Sequence, residues 1–149
     1  MAGTGAEKWE ELFALARAQM DRAYAPYSQF HVGAALRAAS GGIYAGCNVE
    51  NAALPQGWCA EASAIAAMIA AGDRQIEEVL IAGAKSDEAG GYAQEADILC
   101  TPCGGCRQKI REFAEPETPI IVCGPEGMRR RFTLAELLPF DFGPSHLGR

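Results

Sequence analysis

Cys59-Ala60-Glu61-Ala62-Ser63-Ala64-Ile65-Ala66-Ala67-Met68-Ile69-Ala70-Ala71-Gly72 reads as a helix that starts at a cysteine and stops at a glycine. Glycine just past the last turn is a C-cap signal, because it enters the left-handed region without steric cost. The alanines at 60, 64, 67 and 71 would let this helix lie close against a sheet. A second helix starts at Pro102-Cys103-Gly104-Gly105-Cys106 and runs to about Phe113. A helix N-terminus carries about +0.5 charge on its unpaired N–H groups. It therefore favours the thiolate, the form in which cysteine binds a metal. Cys103 and Cys106 are three apart, so both can face one ion from a first helical turn. Gly104 and Gly105 leave the backbone free to approach that ion.

The remaining elements follow from period and punctuation. Trp9, Leu12, Phe13, Ala16 and Met20 form one apolar stripe, predicting a helix from Glu7 to about Tyr24, stopped by Pro26. Phe30 to Leu36 and Ile43 to Cys47 read as strands joined at Gly41-Gly42, an antiparallel hairpin. Asn48 to Gly57, with Pro55, is a loop. Val79 to Ala84 is a buried strand, Asp87 to Glu95 a polar loop, and Ile120 to Cys123 another strand. Arg131 to Thr133 is a short last strand, and Leu134 to Leu138 a short helix before Pro139. Strands alternating with helices predict an α/β domain with a mixed sheet, in which the later strands, joined by helices, could be parallel. The whole of 1–149 reads as one domain, with 1–6 and 145–149 as frayed ends.

Composition excludes several classes. The net charge of -6 argues against a nucleic-acid surface, which needs clustered Lys and Arg. The one basic run, Arg129-Arg130-Arg131, reads as a solvated strand or turn. No stretch approaches the roughly 18 uninterrupted apolar residues of a membrane span. Glu7, Glu10 and Glu11 near the N-terminus, with no apolar core segment, do not read as a signal peptide. A cytoplasmic, reducing location is the expectation, with the six cysteines as thiols or metal ligands rather than disulfides.

The cysteines allow more than one site. Cys59, Cys100, Cys103 and Cys106 could close a four-thiolate zinc site that only holds the fold. That reading leaves Glu61 without a role, and Cys100 lies at a strand end. Cys123 fits a small apolar residue in a strand, and Cys47 could be a second. Glu61 is two residues after Cys59, about 200° round a helix, yet at a helix start both can border one pocket. It could also be an ordinary first-turn glutamate that favours the helix dipole.

The pairing of Cys59-Ala60-Glu61 with Pro102-Cys103-Gly104-Gly105-Cys106 matches the known signature of zinc deaminases, which more often has histidine first. That pairing is the signature's, not a deduction from spacing. Together with Tyr27 to Leu36, Cys47-Asn48-Val49-Glu50-Asn51, Arg107-Gln108, Leu137-Leu138-Pro139 and Phe142-Gly143-Pro144, it resembles the small homotetrameric cytidine deaminases from Glu7 to Phe142. The resemblance implies a three-layer α/β/α fold with a mixed, roughly five-stranded sheet. It implies one Zn²⁺ per chain on Cys59, Cys103 and Cys106, and Glu61 as proton shuttle. It implies Asn48 and Glu50 on the ribose, Phe30 stacking on the pyrimidine, and the Ala60 N–H on the ring carbonyl. Phe142 would reach a neighbouring subunit's site.

The implied partner is a small nucleoside, without nucleic acid or membrane, in a homotetramer with shared sites. The implied reaction is hydrolytic deamination of cytidine and, by extension, deoxycytidine, as in pyrimidine salvage. A related deaminase of an aminonucleoside antibiotic or other cytosine derivative is the nearest alternative. A closed structural zinc module is the non-enzyme one. Two positions depart from the family: Ala62, where an arginine often helps neutralise the thiolates, and Leu54, where a tyrosine often stands. His31 and His146 are read as surface or loop residues, not ligands.

Overall fold

The computed structural model describes residues 5–149, with side chains from Lys8 onward. In chain order the elements are α1 (Gly5–Met20), β1 (Phe30–Ala38), β2 (Ile43–Cys47), α2 (Ala60–Ala71) and β3 (Ile76–Lys85). Then come α3 (Gly104–Phe113), β4 (Pro119–Gly124), β5 (Gly127–Thr133) and α4 (Leu134–Leu137). The sheet order is β2-β1-β3-β4-β5. β1 is antiparallel to both β2 and β3, β3 is parallel to β4, and β4 is antiparallel to β5.

Side chains alternate across the sheet, as a period of two requires. Ala34, Leu36 and Ala38 of β1, Val79 and Ile81 of β3 and Ile120 of β4 pack with Ala64, Met68 and Ile110 of α2 and α3. Ala35, Leu80, Ala82, Ile121 and Cys123 pack on the opposite face with Leu12, Ala16 and Met20 of α1. Helices cover both faces, so the expected three-layer fold with a mixed five-stranded sheet is the observed one.

Several boundaries differ from the sequence reading, each for a tertiary reason. α1 stops at Met20 rather than near Tyr24. The Tyr24 N–H donates to the Asn48 carbonyl at 3.0 Å, pulling the chain away from the helix before Pro26. The His31 ring faces the Met20 carbonyl at 3.2 Å, so His31 closes this helix from within β1 instead of lying in a loop. Of the later strands, β3 and β4 are parallel and β5 is not. β5 follows β4 by a hairpin, and β3 returns beside β1 in the opposite sense. β5 is longer than Arg131–Thr133, because Gly127 turns the chain straight back along β4.

Within the basic run, Arg129 turns inward, donating to the Ile98 carbonyl and Glu126 at 2.6 Å each, while Arg130 and Arg131 stay exposed. Ala60 and Ala64 are buried as expected of α2, but Ala67 and Ala71 face outward. The expected frayed tail at 145–149 instead forms a 3-10 turn over Pro144–Leu147, bonded from the Gly143 N–H to His146 Nδ1 at 3.1 Å. Of the other expected frayed end, residues 1–4 lie outside the described residues, and α1 is already formed at Gly5.

Gly46 decides how near α2 can come. A Cβ there would lie 2.5 Å from Ser63 Cβ and 2.7 Å from the Ala64 nitrogen. Ser63 Oγ donates to the Cys47 carbonyl at 3.1 Å, fastening the helix start to the end of β2. Overpacking of this kind costs about 1–3 kcal/mol. Gly46→Ala should lower the melting temperature by about 3–10 °C and weaken zinc retention with it. Calorimetry and metal analysis on the same sample check both.

Candidate metal centre and active site

Cys59 and Cys103 are the N-cap residues of α2 and α3, both in extended backbone. Neither offers an oxygen for a side-chain capping bond. At the start of α3 the Cys106 N–H bonds the Cys103 sulfur, and at the start of α2 the Glu61 N–H bonds that residue's own carboxyl. Cys59 Sγ and Cys103 Sγ are 3.9 Å apart. Tetrahedral zinc with Zn–S bonds of 2.3 Å holds its sulfurs about 3.8 Å apart, so this spacing fits the ion. Cys106, one turn into α3, completes the group, and all three sulfurs lie within 4.8 Å of one another.

Cys100 is not in that group; its sulfur lies against Gly83 instead. The four-thiolate alternative therefore loses its fourth ligand. Burial pushes the Cys59 and Cys106 thiols up, whereas hydrogen bonds from the Cys106 backbone and neighbouring thiols bring Cys103 down against the effect of burial. Three sulfurs this close cannot all ionise without a cation between them. The donor set thus suits one zinc, and among the described residues no fourth Cys, His, Asp or Glu joins the cluster.

The cavity beside the cluster measures about 390 Å³ and is floored by Cys59, Ala60, Glu61 and Cys103. This is within the size range of small-molecule sites. Glu61 is buried, and burial raises its carboxyl pKa, opposed in part by hydrogen bonds from its own N–H and the Cys106 thiol and, least, by Lys109. Because Cys59 is extended rather than helical, Cys59 and Glu61 both reach the cavity despite their two-residue spacing. Ala60 opens α2, so its N–H is one of the helix's unpaired donors.

The far wall holds Asn48 and Glu50. The Asn48 amide accepts from the Val32 N–H and donates to the Phe30 carbonyl, at 2.9 Å each. Glu50 Oε1 accepts from the N–H groups of Tyr27 at 2.9 Å and Ser28 at 3.1 Å; the Ser28 side chain first, and then these bonds, lower its pKa. Both side chains are held by backbone and keep hydrogen-bonding capacity to spare: one amide hydrogen and one carboxylate oxygen.

Two expected residues lie elsewhere. Phe30 borders a separate narrow cleft with Gly83, Ile98 and Arg129. Phe142 is 57% exposed and stacks on His146 with ring centroids 4.7 Å apart. Sequence reasoning missed Arg107 and Trp58 as site residues. Arg107 donates to the Pro102 and Leu137 carbonyls at 2.7 Å each, fixing the turn that delivers Cys103. Its place beside Cys106 was the available signal. Trp58 lines the cavity, and nothing in its spacing marked it.

Residues 6–122 match the family model described as the cytidine and deoxycytidylate deaminase zinc-binding region. The chain belongs to this deaminase family. Within it, a cytidine deaminase of Sporosarcina psychrophila is 36% identical over 138 residues, 93% of each chain. The crystal structure of cytidine deaminase from Burkholderia pseudomallei superposes with a TM-score of 0.76 at 33% identity, covering 89% of this chain and 98% of that one. That from Mycobacterium tuberculosis gives 0.70 at 31%, covering 91% and 97%. The family's zinc and the three-cysteine cluster are in agreement. Among the described residues, no helix is long and apolar enough to cross a membrane.

The cluster makes a direct prediction. Cys106→Ser should leave far less than one zinc per chain after dialysis against a chelator, whereas Cys100→Ala should keep its zinc. Elemental analysis of the two variants checks the ligand set.

Proposed function

We propose that this chain hydrolyses the exocyclic amine of cytidine, and of deoxycytidine, releasing ammonia and the uracil nucleoside. The observation that carries the reading is a buried glutamate beside a three-thiolate cluster, at the floor of a nucleoside-sized cavity. Zinc on Cys59, Cys103 and Cys106 would supply Lewis acidity, making water nucleophilic near neutral pH.

Glu61 takes one proton from that water and delivers it to the ring nitrogen, then takes the second from the hydroxyl now on the tetrahedral carbon and delivers it to the leaving amine. The water oxygen bonds the carbon that carried the amine, the C–N bond breaks, and the nitrogen leaves as ammonia. Burial suits Glu61 to both halves of this cycle, since a raised carboxyl pKa lets it hold the proton between steps. The Ala60 N–H receives the ring carbonyl. Asn48 and Glu50 use their spare amide hydrogen and carboxylate oxygen on the ribose hydroxyls, already oriented by Val32, Phe30, Tyr27 and Ser28.

The assembly proposed is a homotetramer in the cytoplasm, serving pyrimidine salvage, with Phe142 reaching into a neighbour's site. Its exposure outside this chain's own cavity supports that reading. So does the clamp on its segment: Gln108 donates to the Phe142 carbonyl at 2.8 Å, and Arg111 pairs with Asp141.

Ammonia release from cytidine by the zinc-loaded protein tests the reaction. Glu61→Gln should keep its zinc and lose about 10³-fold or more in turnover, within the range of general acid–base effects. Near-full turnover in that variant contradicts the shuttle. No turnover in the parent protein contradicts the substrate.

A further inference from the structure

Asn48 and Glu50 are held by one turn, Tyr27-Ser28-Gln29-Phe30. Two successive N–H groups, those of Tyr27 and Ser28, converge on the same Glu50 oxygen. The Phe30 carbonyl at the other end of the turn accepts from the Asn48 amide at 2.9 Å. The path of this turn thus decides where both polar groups stand at the cavity wall.

The backbone does not adopt such a path freely. Gln29 has a φ of 58°, in the left-handed region that residues with a side chain seldom enter. A conformation of this kind persists only where its surroundings hold it. The Gln29 N–H donates to the Ala25 carbonyl at 2.9 Å, and the Gln29 carbonyl accepts from the Ser86 N–H at 2.8 Å. A side chain supplies a third link. Ser28 Oγ accepts from the Phe30 N–H at 3.0 Å and so spans the left-handed residue. The hydroxyl that accepts this bond still has its own hydrogen to give. Ser28 is also the group that does most to keep the Glu50 carboxyl charged.

We infer that Ser28 is a positioning residue for ribose recognition: its hydroxyl closes the turn over Gln29, so that Asn48 and Glu50 meet the sugar hydroxyls in one fixed arrangement. The inference rests on the nucleoside reading above and adds to it the group that orients the ribose pair. Ser28 does not line the cavity, so it acts through Glu50 and Asn48 rather than on the sugar. Its effect is therefore confined to ligands that carry the hydroxyls.

Calorimetric binding of uridine and of 2′,3′-dideoxyuridine, which lacks both ring hydroxyls, to the zinc-loaded protein reads this without turnover. Ser28→Ala should weaken uridine binding about 5-fold to 10-fold, the scale of one hydrogen bond, and leave dideoxyuridine unchanged. Ser28→Thr keeps the hydroxyl and should restore most of the affinity for uridine. With cytidine as substrate, Ser28→Ala should raise KM by the same factor with kcat little altered.

An equal loss for both ligands makes Ser28 a structural residue only and overturns the inference, as does an unchanged affinity for uridine. If Ser28→Ala does not fold, Ser28→Cys decides by the same ratio, since a thiol is close in size and a weak donor and acceptor. A parent protein that binds uridine no better than dideoxyuridine, or binds neither, refutes the ribose reading and this inference with it. A parent that prefers uridine, with the preference intact in Ser28→Ala, refutes this inference alone.

Discussion

Two helices can place three sulfurs round one cation only if they begin at the same end of the sheet. That condition is met by β1. It lies between β2 and β3 and is antiparallel to both, so β2 and β3 point the same way. α2 follows β2 and α3 follows β3, each after a loop, and both helix N-termini emerge together. Cys59 and Cys103, the two N-caps, meet at 3.9 Å although 44 residues separate them. Ligand sites outside the carboxyl ends of strands are a general property of α/β sheets; here the antiparallel β1 is the spacer that produces one.

Burial and charge then act on a site already assembled. A zinc ion with three thiolates carries one net negative charge, and Glu61 adds to it when ionised. The two helix N-termini return about +0.5 each. With Ala62 in place of an arginine, the side-chain cation acting on Glu61 is Lys109, one turn beyond Cys106 on α3. Lys109 Nζ and Cys103 Sγ lie 3.6 and 3.9 Å from the point where a Gly105 Cβ would sit. Arg107, nearer in sequence, is spent on the Pro102 turn and on α4. The site is therefore balanced mainly by backbone, which keeps its charge without the mobility of a long side chain.

The sequence was most legible where local chemistry and tertiary need coincide. The starts of α2 and α3 at Cys59 and Cys103, the glycine stop at Gly72, and β2 at Ile43–Cys47 all have local signals, and the structure places them within a residue. Legibility fell where a distant partner decides. Nothing local ends α1 at Met20; Asn48 and His31 do so from other elements. Arg129 reads as a solvated cation, yet the carbonyl of Ile98 draws it inward. Asn48 and Glu50 were singled out by resemblance, and only the folded chain shows why they are rigid: each is bonded to the backbone around β1. Trp58 had no periodic or motif signal, because its place on the wall comes from a bridge to Val49 rather than from its own segment.

The account depends most on three thiolates and one open position at the metal. X-ray absorption at the zinc edge of the loaded protein measures this directly. Three sulfurs at about 2.3 Å and one lighter scatterer near 2.0 Å are predicted. Four sulfurs would place Cys100 on the ion, close the site, and contradict the account at its centre.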